Sequence, residues 1–404
     1  MSWSLLERWI RTGTLHVHMP DGEVHRVGEG APEAHVHLRS RAVLGRLLRD
    51  PDMAVGEAYM DGDWWPGEGG LLPVFELYFR NRGDFGGSRL RSWLRAALWF
   101  LREANGRLRA RRNVQHHYDL DAELFRRFLD EDLHYSCAYF EREDMSLEAA
   151  QRAKCRHIAG KLCLSPGERV LDIGCGWGGM AFHLARNHGV EVTGLTLSQD
   201  QYDEARRRAR DLGLDDRVRF RLQDYREHDG DYDAVVSVGM FEHVGRPQYQ
   251  TFFDSVHGLL APRGRALIHT IGRSGPPADS QSWIQRHIFP GGYIPSLSET
   301  ARPIEHSGLV LSDLEIWRKH YARTLAAWNQ RFQATRSEFA ERLGERFCRM
   351  WEFYLIGCRA IFEWGDLVVF QFQLALDNDT VPLTRDYLYP PDRTDDREDT
   401  GQAA

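Results

Sequence analysis

The sequence lacks any run of about 18 apolar residues in its 404 positions, the length that a membrane-spanning helix needs. The opening residues, MSWSLLERWIRTG, carry no long apolar stretch of the kind a secretory signal shows. Six cysteines are present, Cys137, Cys155, Cys163, Cys175, Cys348 and Cys358, and no two form a Cys-x-x-Cys pair. They read as reduced thiols in a cytoplasmic chain, with no zinc and no metal expected. Net positive charge is absent as well. The formal charge is −7, so nucleic acid is not an expected partner. No internal repeat is visible.

What is present is enough length for two or three domains with a large core. Residues 1–112 read as a smaller N-terminal unit, with short apolar runs broken by turn signals at Pro20-Asp21-Gly22, Asp61-Gly62-Asp63 and Gly67–Gly70. A linker near Asn113 leads to a second domain, 113–390, and the tail 391–404 reads as acidic and disordered. Residues 80–113 hold ten arginines against two acids, Asp84 and Glu103. On a helix, Arg91, Arg95, Arg102 and Arg109 form one stripe opposite Trp93, Leu94, Ala97, Phe100, Leu101 and Leu108. Such a face suits an anionic bilayer surface. It equally suits a helix packed on its own domain with its arginines in water.

The second domain alternates strand and helix patterns. Val170–Ile173, Val190–Leu195, Val218–Leu222, Ala234–Val238 and Arg265–His269 read as strands, and Gln201–Leu212 and Tyr249–Leu260 as helices. The series predicts an α/β fold with a mostly parallel sheet, and ligands then bind at the carboxyl ends of the strands. The first strand runs into Asp172-Ile-Gly174-Cys-Gly176-Trp-Gly178-Gly179 and then a helix. Glycines are needed where a ligand meets bare backbone, and a helix N-terminus presents its N–H groups there. The spacing also fits the dinucleotide pattern G-x-G-x-x-G. A dinucleotide site, however, wants an acidic residue at the end of the second strand, where this chain has Thr196 and Ser198. The run resembles the first motif of class I S-adenosylmethionine (SAM) methyltransferases.

Glu242 follows the fourth strand and His269 ends the fifth, so both can reach one point above the sheet edge. Upstream lies Tyr135-Ser136-Cys137-Ala-Tyr139-Phe140, and downstream His320-Tyr321 and Trp328. Singly, each has an ordinary reading as a cap, a core histidine or a small buried thiol. In order, however, the motifs Tyr-Ser-Cys-Ala-Tyr-Phe, Val-Leu-Asp-Ile-Gly-Cys-Gly-Trp-Gly-Gly, Gly-Leu-Thr-Leu-Ser-Gln-Asp-Gln, Gln-Asp-Tyr-Arg, Gly-Met-Phe-Glu-His-Val-Gly and His-Thr-Ile-Gly resemble the cyclopropane-fatty-acyl-phospholipid synthase family, which includes the mycolic acid cyclopropane synthases. The match spans about residues 115–375 and continues more weakly through Gly56–Trp65.

The resemblance implies a class I methyltransferase domain and a SAM site made by Tyr135, Ser136, Gly174, Gly176, Thr196, Leu197, Gln201, Asp224 and Tyr225. It implies a bicarbonate ion held by Glu242, His269 and Tyr321, with backbone help at Cys137 and Cys358. It also implies membrane phospholipids with cis-unsaturated chains as substrate, a homodimer, and a cytoplasmic enzyme attached peripherally to the inner face of the membrane. Attack of an alkene on a sulfonium methyl leaves a carbocation that must be kept from water. Aromatic faces can do this, which suits Tyr139, Phe140, Tyr321, Trp328 or Phe370. A base then removes a proton so that the ring closes. A covalent role for Cys137 is disfavoured, since no base adjoins it in sequence. Alternatives on the same scaffold are a fatty-acyl or small-amine methyltransferase, or a non-catalytic lipid-binding protein.

Overall fold

A computed structural model describes residues 3–82, 122–279 and 282–389. The arginine stripe, the linker near Asn113 and the acidic tail lie outside these described residues. Two sheets organise the chain. The first has the order β2-β1-β3-β4, built from β1 (Gly13–His18), β2 (Val24–Glu29), β3 (Glu33–Leu38) and β4 (Trp64–Pro66). Its β1 pairs antiparallel with β2 and parallel with β3.

The second sheet has seven strands in the order β10-β11-β9-β8-β5-β6-β7. They are β5 (Arg169–Ile173), β6 (Glu191–Thr196), β7 (Val218–Leu222), β8 (Tyr232–Val238), β9 (Leu260–Arg273), β10 (Val310–Trp317) and β11 (Leu367–Ala375). Strands β5 to β9 are mutually parallel, and β11 joins β9 antiparallel, with β10 on its outer edge. The fold is therefore α/β with a mostly parallel sheet, as the alternating pattern predicts. The fifth predicted strand is longer than expected. It runs Leu260–Arg273 rather than Arg265–His269, because β11 continues the ladder as far as Leu367 opposite Arg273.

Helices on both faces hide the sheet, so the central strands are apolar nearly throughout. Helix Leu147–Lys161 starts at Ser146, whose hydroxyl accepts the Ala149 N–H at 3.2 Å. Ser198 caps helix Gln199–Asp211 in the same way, accepting the Gln201 N–H at 3.3 Å. Each cap satisfies a donor that the first turn leaves unpaired. Helices His320–Leu343 and Glu345–Trp364 cover the other end of the domain with a core rich in large aromatics, including Trp317, Trp328 and Trp351.

The Gly56–Trp65 segment joins the two parts. Tyr59 donates its hydroxyl to Glu352 at 2.9 Å, and Phe75 meets Phe353 edge-on at 5.0 Å. Both partners lie on helix Glu345–Trp364, so two helices of the N-terminal part, Pro51–Met60 and Leu71–Arg80, are anchored to the helix that also carries Cys358. No helix among the described residues is long and apolar enough to cross a membrane.

Candidate active site

The nine residues expected to hold SAM line one cleft of about 1170 Å³, open to solvent, at the carboxyl ends of β5, β6, β7 and β8. This is the edge where ligands bind open α/β sheets. Gly174 and Gly176 both have positive φ, +82° and +55°. A side-chain carbon at Gly176 would meet nothing within 4 Å, so its backbone faces open space. Thr196 donates to the Gln201 side-chain oxygen at 2.9 Å, which fixes that amide over the end of β6. Asp224 lines the cleft too, but Arg226 grips both its oxygens, at 2.8 and 2.6 Å.

Leu133–Phe140 has no regular structure, so side chains from two helices pin it. From one side, Gln151 donates to the carbonyls of His134 and Ser136, at 3.3 and 3.0 Å, and Lys154 donates to the Ser136 hydroxyl at 2.9 Å. From the other, Thr324 and His320 accept the N–H groups of Ala138 and Phe140, at 3.0 and 3.1 Å. Thr324 stands one turn beyond Tyr321 on the same helix. The loop is thereby held between the cleft and Tyr321.

The cleft floor holds charge that the sequence reading did not assign. Asp172 is buried, one of its oxygens (Oδ2) has no partner, and burial pushes its acid up to about 7. Lys154 is fully buried in the same lining, and burial holds its ammonium below the ordinary range. An unpartnered buried carboxyl beside glycine backbone suits a ligand with a cationic amino acid end, as SAM has. Lys154 carries a legible signal, since it sits on the buried stripe of helix Leu147–Lys161 where charge is rare.

Glu242 lies on a short 3₁₀ turn, Phe241–His243, directly after β8. One oxygen (Oε1) accepts the Ile271 N–H at 2.6 Å, while Oε2 is buried without a partner. Burial pushes its carboxyl up to about 7. Tyr321 is buried within electrostatic reach of Tyr135, Cys137, Glu242 and Cys358, and burial raises its phenol well above the ordinary value. These groups come from four separate segments, so the fold brings them together. His269 has different partners. Its Nδ1 is 3.1 Å from the Gln371 side chain, and its ring meets Trp317 edge-on at 5.1 Å. Burial holds it well below its ordinary pKa, so it is neutral.

An aromatic wall adjoins Tyr321. Trp328 lies 5.8 Å from it and Phe362 4.7 Å, and Tyr135 is 5.2 Å from Trp328. The Tyr135 and Tyr354 hydroxyls hydrogen-bond at 2.7 Å, and Tyr354 was not expected from the sequence. Tyr139 stands with Trp317 and His157 instead, at 4.7 and 4.6 Å. Phe370 lies elsewhere than the sequence suggested. It packs in the core with Phe372 and Ile268, whereas its neighbour Gln371 faces His269, and adjacent strand residues point to opposite sides. Phe370 therefore cannot shield this site.

Burial raises the thiol of Cys137 far above its ordinary value and that of Cys358 up to about 12. Neither is a thiolate at neutral pH, and a thiol is a poor nucleophile. Cys137→Ala is expected to keep most of the turnover. A fall of about 10²-fold or more in kcat, with cofactor affinity unchanged, would restore a chemical role for the sulfur.

Residues 106–372 match the family model described as mycolic acid cyclopropane synthetase. Cyclopropane-fatty-acyl-phospholipid synthase of Escherichia coli K12 is 38% identical over 353 residues, covering 85% of this chain and 88% of that protein. The chain belongs to the mycolic acid cyclopropane synthetase family. It is accordingly a SAM-dependent enzyme. Tuberculostearic acid methyltransferase UfaA1 of Mycobacterium tuberculosis is another relative of this family member, 37% identical over 363 residues, covering 85% of this chain and 83% of that one. Among solved structures, mycolic acid cyclopropane synthase CmaA1 complexed with SAH and CTAB aligns with TM-score 0.62 and 36% identity, over 66% of this chain and 98% of that one. Residues 4–87 match a separate model, a domain of unknown function, DUF7884.

Proposed function

We propose that this protein transfers a methylene unit from SAM across the cis double bond of an unsaturated phospholipid acyl chain, closing a cyclopropane ring. The observation that carries the reading is Glu242, a buried carboxyl with an unpartnered oxygen, grouped with Tyr321 beside an aromatic wall and next to the cofactor cleft. The names of the E. coli relative and of the family model support the same reaction class.

When bound, SAM supplies an electrophilic methyl group and bicarbonate supplies a base. The chain's own residues do the rest. The glycine turn, Gln201, Asp172 and the Tyr135–Ser136 segment hold the cofactor. Tyr321 and Trp328 present ring faces that favour positive charge without reacting with it and exclude the water that would trap it as an alcohol. Glu242, whose carboxyl burial pushes up to about 7, donates from Oε2 to the bicarbonate anion in its protonated form; an ionised carboxylate there would repel it. Tyr321 donates a second hydrogen bond from its phenol. His269, neutral and set by Gln371, gives the third side of the anion site. The enzyme would reach its substrate by docking on the cytoplasmic surface of the membrane.

The experiment is incubation of the purified protein with labelled SAM and vesicles of cis-vaccenoyl phospholipid. The lipid is expected to gain one CH₂ and lose its alkene signal. A methyl-branched product would move the protein to the chemistry that the UfaA1 relative is named for. Absence of S-adenosylhomocysteine would end the reading altogether.

A further inference from the structure

Two near-identical runs, Leu15-His16-Val17-His18 and Ala34-His35-Val36-His37, lie far from the active site in the N-terminal sheet. Residues at alternate positions of a strand share a face. The parallel register of β1 and β3 sets His16 beside His35 and His18 beside His37, with Thr14 beside Glu33. Four imidazoles and a carboxylate therefore share one face of one sheet. The His16 and His35 rings stack at 4.4 Å, those of His18 and His37 at 4.2 Å. His16, Glu33 and His35 each offer a ligand atom, and these atoms all lie within 4.8 Å of one another.

We propose that His16, Glu33 and His35 bind a first-row divalent metal ion, with zinc the best fit, at a site that ties β3 to β1. Two imidazoles and a carboxylate form a donor set that zinc accepts, leaving one position for water. Closing the ligands from this spacing to metal-bonding distance needs only side-chain rotation, because Glu33 is 59% exposed and His16 20%. His18 supports the site from behind. Its Nε2 lies 3.1 Å from Nδ1 of His35. With the proton of that contact on Nδ1 of His35 and donated to His18, Nε2 of His35 keeps its lone pair for the metal, the usual way an outer partner orients a ligand histidine. Arg26, opposite His16 on β2, is the opposing charge, and it is exposed and can swing into water.

The test uses tag-free, full-length protein stripped with a chelator and titrated with zinc chloride by calorimetry. The native chain is expected to take up one equivalent and to melt at a higher temperature with zinc than without it, because an ion that binds only the folded state stabilises it. His16→Gln and His35→Gln should each lose that equivalent and the melting shift. His18→Gln should weaken affinity about 10–100-fold, as loss of an outer partner does. Glu33→Gln, at an exposed position, serves if a histidine variant fails to fold, and it should also lose tight binding. Zinc uptake by Glu33→Gln or His35→Gln equal to that of the native chain would overturn the proposal, as would no uptake by the native chain.

Discussion

Glu242→Gln is expected to lower turnover by about 10²–10⁴-fold, the usual worth of a positioned proton-transfer site, while SAM still binds. Glutamine keeps the shape and can still accept the Ile271 N–H through its carbonyl oxygen. Its amide nitrogen can still donate a hydrogen bond from the Oε2 position, but it carries no acid proton to exchange with the bound anion. Single-turnover kinetics with calorimetric SAM binding would separate the two effects, and full activity in the variant would reject the assigned role. The same substitution has a second, independent readout in stability. Burial raises the folded pKa of Glu242 from 4.5 to about 7. Below about pH 4.5 both folded and unfolded forms are protonated, and the native protein is at its full stability with respect to this group. As pH rises towards 7 the unfolded chain sheds the proton first, so stability falls, by roughly 3 kcal/mol in total at about 1.36 kcal/mol per pKa unit. The glutamine variant lacks this slope. Asp172 shifts in the same sense and stays in both proteins, so the difference between the two denaturation curves isolates Glu242.

Local pattern made the glycine turn of the cofactor cleft legible, and the resemblance supplied the other residues. An apolar strand, a glycine turn and a helix are contiguous in sequence, and one sheet edge collects all nine expected residues. The groups around Tyr321 were legible only through resemblance, because the spacing of Cys137, Glu242, Tyr321 and Cys358 along the chain says nothing about proximity. Strands β10 and β11 were not seen. In β11, Leu367–Ala375, every residue is buried, so the alternation that marks a strand is missing. Gln371 and Gln373 then look like interruptions, although one contacts His269 and the other donates to the Lys161 carbonyl at 2.6 Å. Phe370 was placed beside the site for the same reason: without the strand, its side could not be assigned. Lys154 and the two His-Val-His runs were present as local signals. Their meaning depends on partners that only the tertiary register supplies, Ser136 for the lysine and the β1–β3 pairing for the histidines.

Gly176→Val is expected to raise the SAM dissociation constant by about 10²-fold and to cost about 1–2 kcal/mol of folding stability. The two costs separate because of where the new atoms go. At φ +55° a β-branched residue is strained, which costs about 1–2 kcal/mol. Apart from its chain neighbours, no protein atom lies within 4 Å of the added β carbon, so that carbon meets no collision. The isopropyl group instead occupies cleft volume that the ligand needs. Forcing a ligand past that obstruction costs about 1–3 kcal/mol, with tenfold in affinity for each 1.4 kcal/mol. Gly174→Ala provides the contrast. Its added carbon would sit 2.7 Å from Cβ and Cγ of Met240, at a φ of +82°. Met240 also lines the cleft, so this variant should lose thermal stability and affinity together. Calorimetric SAM binding and thermal melting on both proteins decide the matter. If Gly176→Val bound SAM as tightly as the native chain, the glycine turn would not be the surface that the cofactor rests on, and the cleft at the ends of β5 to β8 would have to be given another ligand.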